Sequence, residues 1–336
     1  MNRRSFLQRV GLSSLSAAVS FLGFGEPEAE ATTAGIGTYL RVDASRPERV
    51  PVSGVNKILG NPGVVGFLIN QGWSDIEPSP GGFDYRTAAV AAQLARDHAV
   101  EFHWRIVAGA HTPVFHMGST WVPVGGLAAG MTLPCPFTPA GRINRVFLNG
   151  YRTLTTGAGG WAAANGITGY HASHWGGKSA ELNVIAEIAN VPGYNAALIL
   201  NAHLKLLAAV QALPSTVPFI EFPISGFAPK GFTTAFADAM RAVVRPSYLS
   251  MNFLSDRTDP TPLVNWPYGA TPLHNVQMIH EEPPVPRTGT WDWAQVYANA
   301  KLSGAQNVEV YYRSFFMPDG SLDAALLAEI AKAAAG

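Results

Sequence analysis

The chain has 336 residues, of which 47% are hydrophobic and 14% charged, against about 25% charged in an ordinary soluble domain. It can therefore bury a large core, which excludes disorder for most of its length. Lys plus Arg and Asp plus Glu both total 23 with no basic stripe, which argues against nucleic acid as a partner, and the single Cys135 excludes an intramolecular disulfide framework or a cysteine-cluster metal site.

The chain opens Asn2-Arg3-Arg4-Ser5-Phe6-Leu7-Gln8, and a run without charge follows from Val10 to Gly25. That run is long enough for the apolar part of a leader and short for a membrane span. Ala29-Glu30-Ala31 then offers small residues at alternate positions, as a signal peptidase requires. The segment resembles a twin-arginine export signal, with Arg3-Arg4 followed by Phe6-Leu7 and with Gln8 where such signals often carry Lys. The resemblance implies a leader over residues 1–31. It also implies the twin-arginine export machinery as a partner, and a mature protein, periplasmic or secreted, with no stable membrane span.

From there, short β-branched or aromatic runs alternate with helical patterns. The runs predict strands at Thr38–Val42, Val64–Ile69, Val100–Val107, Ile167–Ser173, Val217–Ile224, Tyr248–Leu254, Val276–His280 and Val308–Arg313. Helices are predicted at Tyr85–His98, Ile143–Leu154, Tyr194–Leu213, Thr233–Val244, Trp293–Leu302 and Leu322–Ala335. Strand and helix in eightfold alternation predict one α/β domain over residues 32–336, a (β/α)8 TIM barrel. An open doubly wound sheet is the alternative, but no G-x-G-x-x-G follows the first strand. Strand parity aims His103, Arg105, His171, Glu221, Asn252 and Gln277 at the barrel lumen, because apolar residues alternate with them. Such a lumen is either a satisfied network, with Arg105–Glu221 as its ion pair, or a substrate-binding floor.

In such barrels the chemistry sits at the C-terminal ends of the strands. The residues after the second strand include Trp73, Ile76-Glu77-Pro78, Pro80-Gly81 and Phe83-Asp84-Tyr85. This stretch resembles the W-x-x-x-E-P-x-x-G-x-[FY]-[DN]-[WFY] segment of retaining glycoside hydrolases of the large (β/α)8 clan, the β-galactosidase- and endoglucanase-like members. The resemblance implies cleavage of O-glycosidic bonds in a carbohydrate substrate, with an acid/base Glu after strand four and a nucleophile Glu after strand seven. Glu181 stands at the first place, and Glu281 and Glu282 at the second. Parity ranks the pair: with Val276 and Met278 outward, Gln277, Ile279 and Glu281 turn inward, so Glu281 is the first choice of nucleophile and Glu282 the second. Two carboxylates are needed because one must protonate the departing oxygen while the other attacks the anomeric carbon.

Candidate sugar contacts are Trp73, Trp175, His111, His171, Asn252 and Tyr312, with Trp121, Trp266 and Trp291 as further loop aromatics. Glu77 reads as a structural residue whose carboxylate holds the Pro/Gly-rich loop through backbone N–H groups. No cofactor and no metal is expected. Two other readings share the fold. A metal-dependent hydrolase would use the histidines near strand ends (His103, His111, His116, His171, His174, His280), yet no H-x-H closes the first strand and no H-E-x-x-H occurs. A non-catalytic carbohydrate-binding barrel is favoured by Ala180, which precedes Glu181 where the clan places Asn.

Overall fold

A computed structural model describes residues 35–118, 121–123, 132–134, 138, 140, 142–172, 201, 205, 208, 219–224, 247–254, 273–278, 291–302 and 305–336. Eight parallel strands close on themselves: β1 (Gly37–Asp43), β2 (Val64–Gly72), β3 (Glu101–Val107), β6 (Gly169–Ala172), β7 (Phe219–Ile224), β8 (Ser247–Leu254), β9 (Leu273–Met278) and β10 (Asn307–Tyr311). Each pairs with its neighbours in chain order, and β1 pairs with β10 to shut the ring. Every strand expected from the sequence overlaps one of these. A small antiparallel hairpin, β4 (Trp121–Pro123) with β5 (Thr132–Pro134), sits in the connection after β3 and was not expected.

Alternation decides which side chains leave the barrel. Leu40 and Val42 in β1, Phe67 and Ile69 in β2, Trp104 and Ile106 in β3, and Val308 and Val310 in β10 are buried in the outer core. The helices supply the other half of that cluster: α1 (Val52–Leu59) gives Val55 and Ile58, α3 (Arg86–Asp97) gives Ala91 and Leu94, and α7 (Ala324–Ala335) gives Leu326 and Ile330. Burying Leu- or Ile-sized side chains stabilises by about 1.5–3 kcal/mol each, so this layer dominates the fold. α7 begins where the Asp323 carboxylate accepts from the N–H groups of Ala325 and Leu326 at 3.0 and 3.1 Å, an N-cap.

Helix α5 (Arg145–Ala164) runs ten residues past its expected end at Leu154. Its second half is rich in glycine, normally a breaker at about 1 kcal/mol per residue, and packing explains the exception. A Cβ on Gly157 would lie 3.0 Å from both the Phe83 ring and the Tyr85 hydroxyl, and one on Gly150 would strike the His116 imidazole. Gly157 lets the aromatic tail of the β2 loop lie flat on the helix, where Tyr85 stacks on Trp161 at 5.3 Å. α6 (Trp293–Leu302) forms where expected; the expected helices at Tyr194–Leu213 and Thr233–Val244 lie outside the described residues, apart from single helical positions at 201, 205 and 208. Among the described residues, no helix is long and apolar enough to cross a membrane.

Candidate functional site at the barrel mouth

Register fixes the lumen, because residues opposite each other on parallel neighbours share a face. Asn70 stands opposite Arg105, Arg105 opposite His171, and His171 opposite Glu221. Farther round the ring, Asn252 stands opposite Gln277, Gln277 opposite Glu309, Glu309 opposite Tyr39, Tyr311 opposite Arg41, and Asp43 opposite Asn70. These positions form layers from the closed bottom to the C-terminal mouth.

The bottom layer is aromatic and tightly fitted. The Tyr39 hydroxyl donates to Glu101, the rings of Tyr39 and His103 lie 4.5 Å apart, and His103 Nε2 is 3.4 Å from the same carboxylate. Two lumen glycines make the room: a Cβ on Gly66 would enter the Tyr39 ring and one on Gly169 the His103 ring. Above it, Arg105 donates from Nη1 and Nη2 to the two Glu309 oxygens at 2.9 and 2.5 Å, and both side chains are fully buried. The ion pair expected for Arg105 was with Glu221. Glu309, three strands away through β2 and β1, is the partner among the described residues, and the Glu221 side chain lies outside them. Parity in β10, where Val308 and Val310 flank Glu309, carried the signal that would have found it.

The top layer opens to the mouth. Arg41 reaches Asp43 Oδ1 from Nε and Nη2 at 3.4 Å, and its guanidinium lies 4.2 Å over the Tyr311 ring. Beside them, Asn70 is buried and its Oδ1 has no hydrogen-bond partner.

The loop after β2 begins as a single helical turn, α2 (Trp73–Ile76), and is pinned by Glu77. The Trp73 indole N–H donates to Glu77 Oε2 at 2.7 Å, the Gly81 N–H donates to Oε1 at 2.9 Å, and His116 Nε2 lies 3.1 Å from both oxygens. His116, on the short α4 (Val114–Met117), stacks on the Trp73 indole at 4.9 Å. Trp73 is 0% exposed. It cannot stack on a sugar as expected, because His116, Phe147 and Tyr151 surround its ring. Tyr312 also departs from expectation. It leans away from the lumen, with its ring 5.0 Å from Phe316 and its hydroxyl over Gly54 of α1. Its neighbour Tyr311 takes the lumen side instead.

His111 ends the turn Gly109–His111 after β3 and converges with Asp75 over Gly72; a Cβ there would lie 2.9 Å from His111 Nδ1 and 2.8 Å from Asp75 Oδ2. Burial pushes the Asp75 carboxyl above its ordinary range, while the nearby His111, the Gly72 backbone and Arg46 pull it back in part. The sequence reading named His111 and missed Asp75.

The three described His candidates, His103, His111 and His116, thus lie in three separate places. No group of three or more His, Cys, Asp or Glu that could hold a metal occurs among the described residues. Trp291 is half-buried and stacks on Trp293 at 6.0 Å. Glu181, Glu281, Glu282, Trp175, Trp266, His174 and His280 lie outside the described residues, as do the side chains of His171, Asn252 and Trp121, whose strands β6, β8 and β4 are placed.

No protein-family description matches the chain, and no curated protein does. Solved structures do. Xylanase B from Clostridium stercorarium F9 superposes with a TM-score of 0.57 at 10% identity, over 90% of this chain and 98% of that one. An intracellular xylanase from Thermoanaerobacterium saccharolyticum gives 0.57 at 10% identity, over 88% and 95%. A β-galactosidase from Rahnella sp. R3 gives 0.61 at 10% identity, over 90% of this chain and 56% of that longer one. At such identities the likeness is one of fold: the chain has a (β/α)8 barrel of the kind found in glycoside hydrolases.

Proposed function

We propose that the protein is an exported glycoside hydrolase that cleaves O-glycosidic bonds with a pair of carboxylates, Glu181 as acid/base and Glu281 as nucleophile. The observation that carries this reading is the lumen. Among the described residues, Tyr39, His103 and the Arg105–Glu309 pair fill the lower lumen, and Arg41, Asp43 and Asn70 stand toward the C-terminal ends of the strands, where barrel enzymes work. The strand ends support the choice of acids. β6 ends at Ala172, 181 − 172 = 9 residues before Glu181, and β9 ends at Met278, 281 − 278 = 3 residues before Glu281. The fold shared with xylanases and a β-galactosidase makes xylans and β-galactosides the first substrates to try.

In this mechanism Glu181, protonated, gives its proton to the leaving oxygen while the Glu281 carboxylate attacks the anomeric carbon. Glu181, now ionised, then takes a proton from the water that releases the sugar. Glu282, the next residue, is the second choice for the nucleophile. Purified protein is assayed on aryl and natural glycosides. Glu281→Gln abolishes turnover of both. Glu181→Ala spares the first step on activated aryl substrates and is rescued by azide, and Glu282→Gln costs less than Glu281→Gln. Equal, modest losses in all three variants would overturn the assignment. Export is tested separately, by a reporter fused to residues 1–35. Arg3→Lys with Arg4→Lys stops its export; undiminished export removes the twin-arginine reading.

A further inference from the structure

The proposed pair of acids accounts for bond cleavage but not for the composition of the mouth above β1 and β2. Asn70 is 7% exposed, and its carboxamide oxygen is buried without a hydrogen-bond partner. Folding alone gains nothing from such an oxygen, since a leucine of similar shape would leave no acceptor unbonded. Its register neighbour on β1 is Asp43, on the same lumen face. The Asp43 side chain is 39% exposed and is held by Arg41 through long 3.4 Å contacts, so its oxygens keep acceptor capacity toward the mouth. Arg41 is itself steadied by the Tyr311 ring beneath its guanidinium.

We propose that Arg41, Asp43 and Asn70 form a sugar-binding subsite on the β10–β1–β2 side of the mouth, taking one pyranose unit through two neighbouring hydroxyls. One hydroxyl donates to Asp43 and the next to Asn70 Oδ1, while Arg41 holds the Asp43 carboxylate in place. Adjacent strands lie about 4.8 Å apart, a spacing at which two acceptors can each take one hydroxyl of a vicinal pair. The subsite rests on the glycoside hydrolase reading and deepens it. It selects sugars by hydroxyl position, from two strands that flank the acids, β1 two places round the ring from β9 and β2 two places from β6.

The test uses the full chain, hydrolysis rates on a panel of aryl glycosides, and ligand-observed NMR binding of methyl glycosides and their monodeoxy analogues. Asn70→Leu keeps or raises the melting temperature and weakens glycoside binding about tenfold, the factor for one lost hydrogen bond. A deoxy analogue lacking the hydroxyl that Asn70 takes loses the same factor with the wild type and loses nothing further with Asn70→Leu, a coupling that a merely structural role would not produce. Asp43→Asn behaves in the same way toward the neighbouring hydroxyl, and it decides the matter alone should Asn70→Leu fail to fold. If the wild type hydrolyses glycosides and both variants bind and cleave them as well as it does, the subsite is wrong and the hydrolase reading stands. If the wild type neither binds nor hydrolyses any glycoside of the panel, both fall.

Discussion

The lumen holds two Arg–carboxylate pairs on the same inner surface, and they differ in every physical respect. Arg105–Glu309 is fully buried, two-pronged and short; Arg41–Asp43 is long, held through one oxygen, and 39% exposed on its acidic side. A buried charge cannot be left without its partner, so the lower pair is locked into the fold. The upper pair is open on its acidic side alone, with the Arg41 side chain 8% exposed, so Asp43 can take a ligand's donor while it keeps its contact with Arg41. The same two residue types therefore serve as a plug in one part of the lumen and as a binding edge in another.

Breaking the lower pair tests that contrast most severely. Glu309→Ala removes the fully buried carboxylate that takes two Arg105 N–H groups and should lower stability by about 3–5 kcal/mol, read from urea unfolding. Asp43→Ala, the matching deletion in the upper layer, should change it by less than about 1 kcal/mol. Comparable losses from the two deletions would erase the distinction between plug and edge.

Glu77 gives the next largest effect. Glu77→Ala removes the acceptor for the Trp73 indole, the Gly81 N–H and His116 at once. A cost of about 2–3 kcal/mol is expected, from donors left buried and unpaired. A near-neutral result would mean that the loop is held by its aromatic packing on α5 instead. Gly66→Ala should cost about 1–3 kcal/mol by overpacking, because the new methyl enters the Tyr39 ring. Gly66→Ala combined with Tyr39→Leu should recover part of that loss, which thermal unfolding can read directly.

The eight strands were legible because each is a short apolar run whose register a barrel then imposes. Parity likewise placed His103 and Arg105 correctly in the lumen, since β3 alternates cleanly. Its use stopped short at β1, β2 and β10, where Arg41, Asp43, Asn70 and Glu309 follow the same rule. The pairing of Arg105 with Glu309, three strands round the ring, depends on how long side chains cross a closed lumen, which no strand pattern encodes. Trp73 misled for a related reason. A tryptophan after a strand end reads as a sugar platform, whereas here the carboxylate four residues on takes its N–H and turns the ring inward. The length of α5 was hidden because glycines that break a lone helix are selected here for contact with Phe83 and Tyr85.

The smallest effect belongs to the mouth again, at Asp75 beside His111. Burial raises the Asp75 carboxyl above its ordinary 3.8, and His111 opposes that rise as a lesser influence. Between 3.8 and the raised value the folded protein holds this proton more tightly than the unfolded chain does, so stability falls as pH climbs through that window. Above the window the ionised carboxylate is a standing cost. Asp75→Asn removes the cost, so it should stabilise the protein at neutral pH, and the gain should vanish as pH falls below the ordinary carboxylate range. Asp75 is about half buried, so solvent screening keeps the gain below about 1 kcal/mol. Melting curves of wild type and Asp75→Asn from about pH 3 to about pH 8 would show it. His111→Ala removes the opposing influence and should widen the window in which wild-type stability falls. Should Asp75→Asn instead destabilise at neutral pH, attraction to His111 and Arg46 would outweigh burial, and Asp75 would belong with the locked lower layer and not with the open edge.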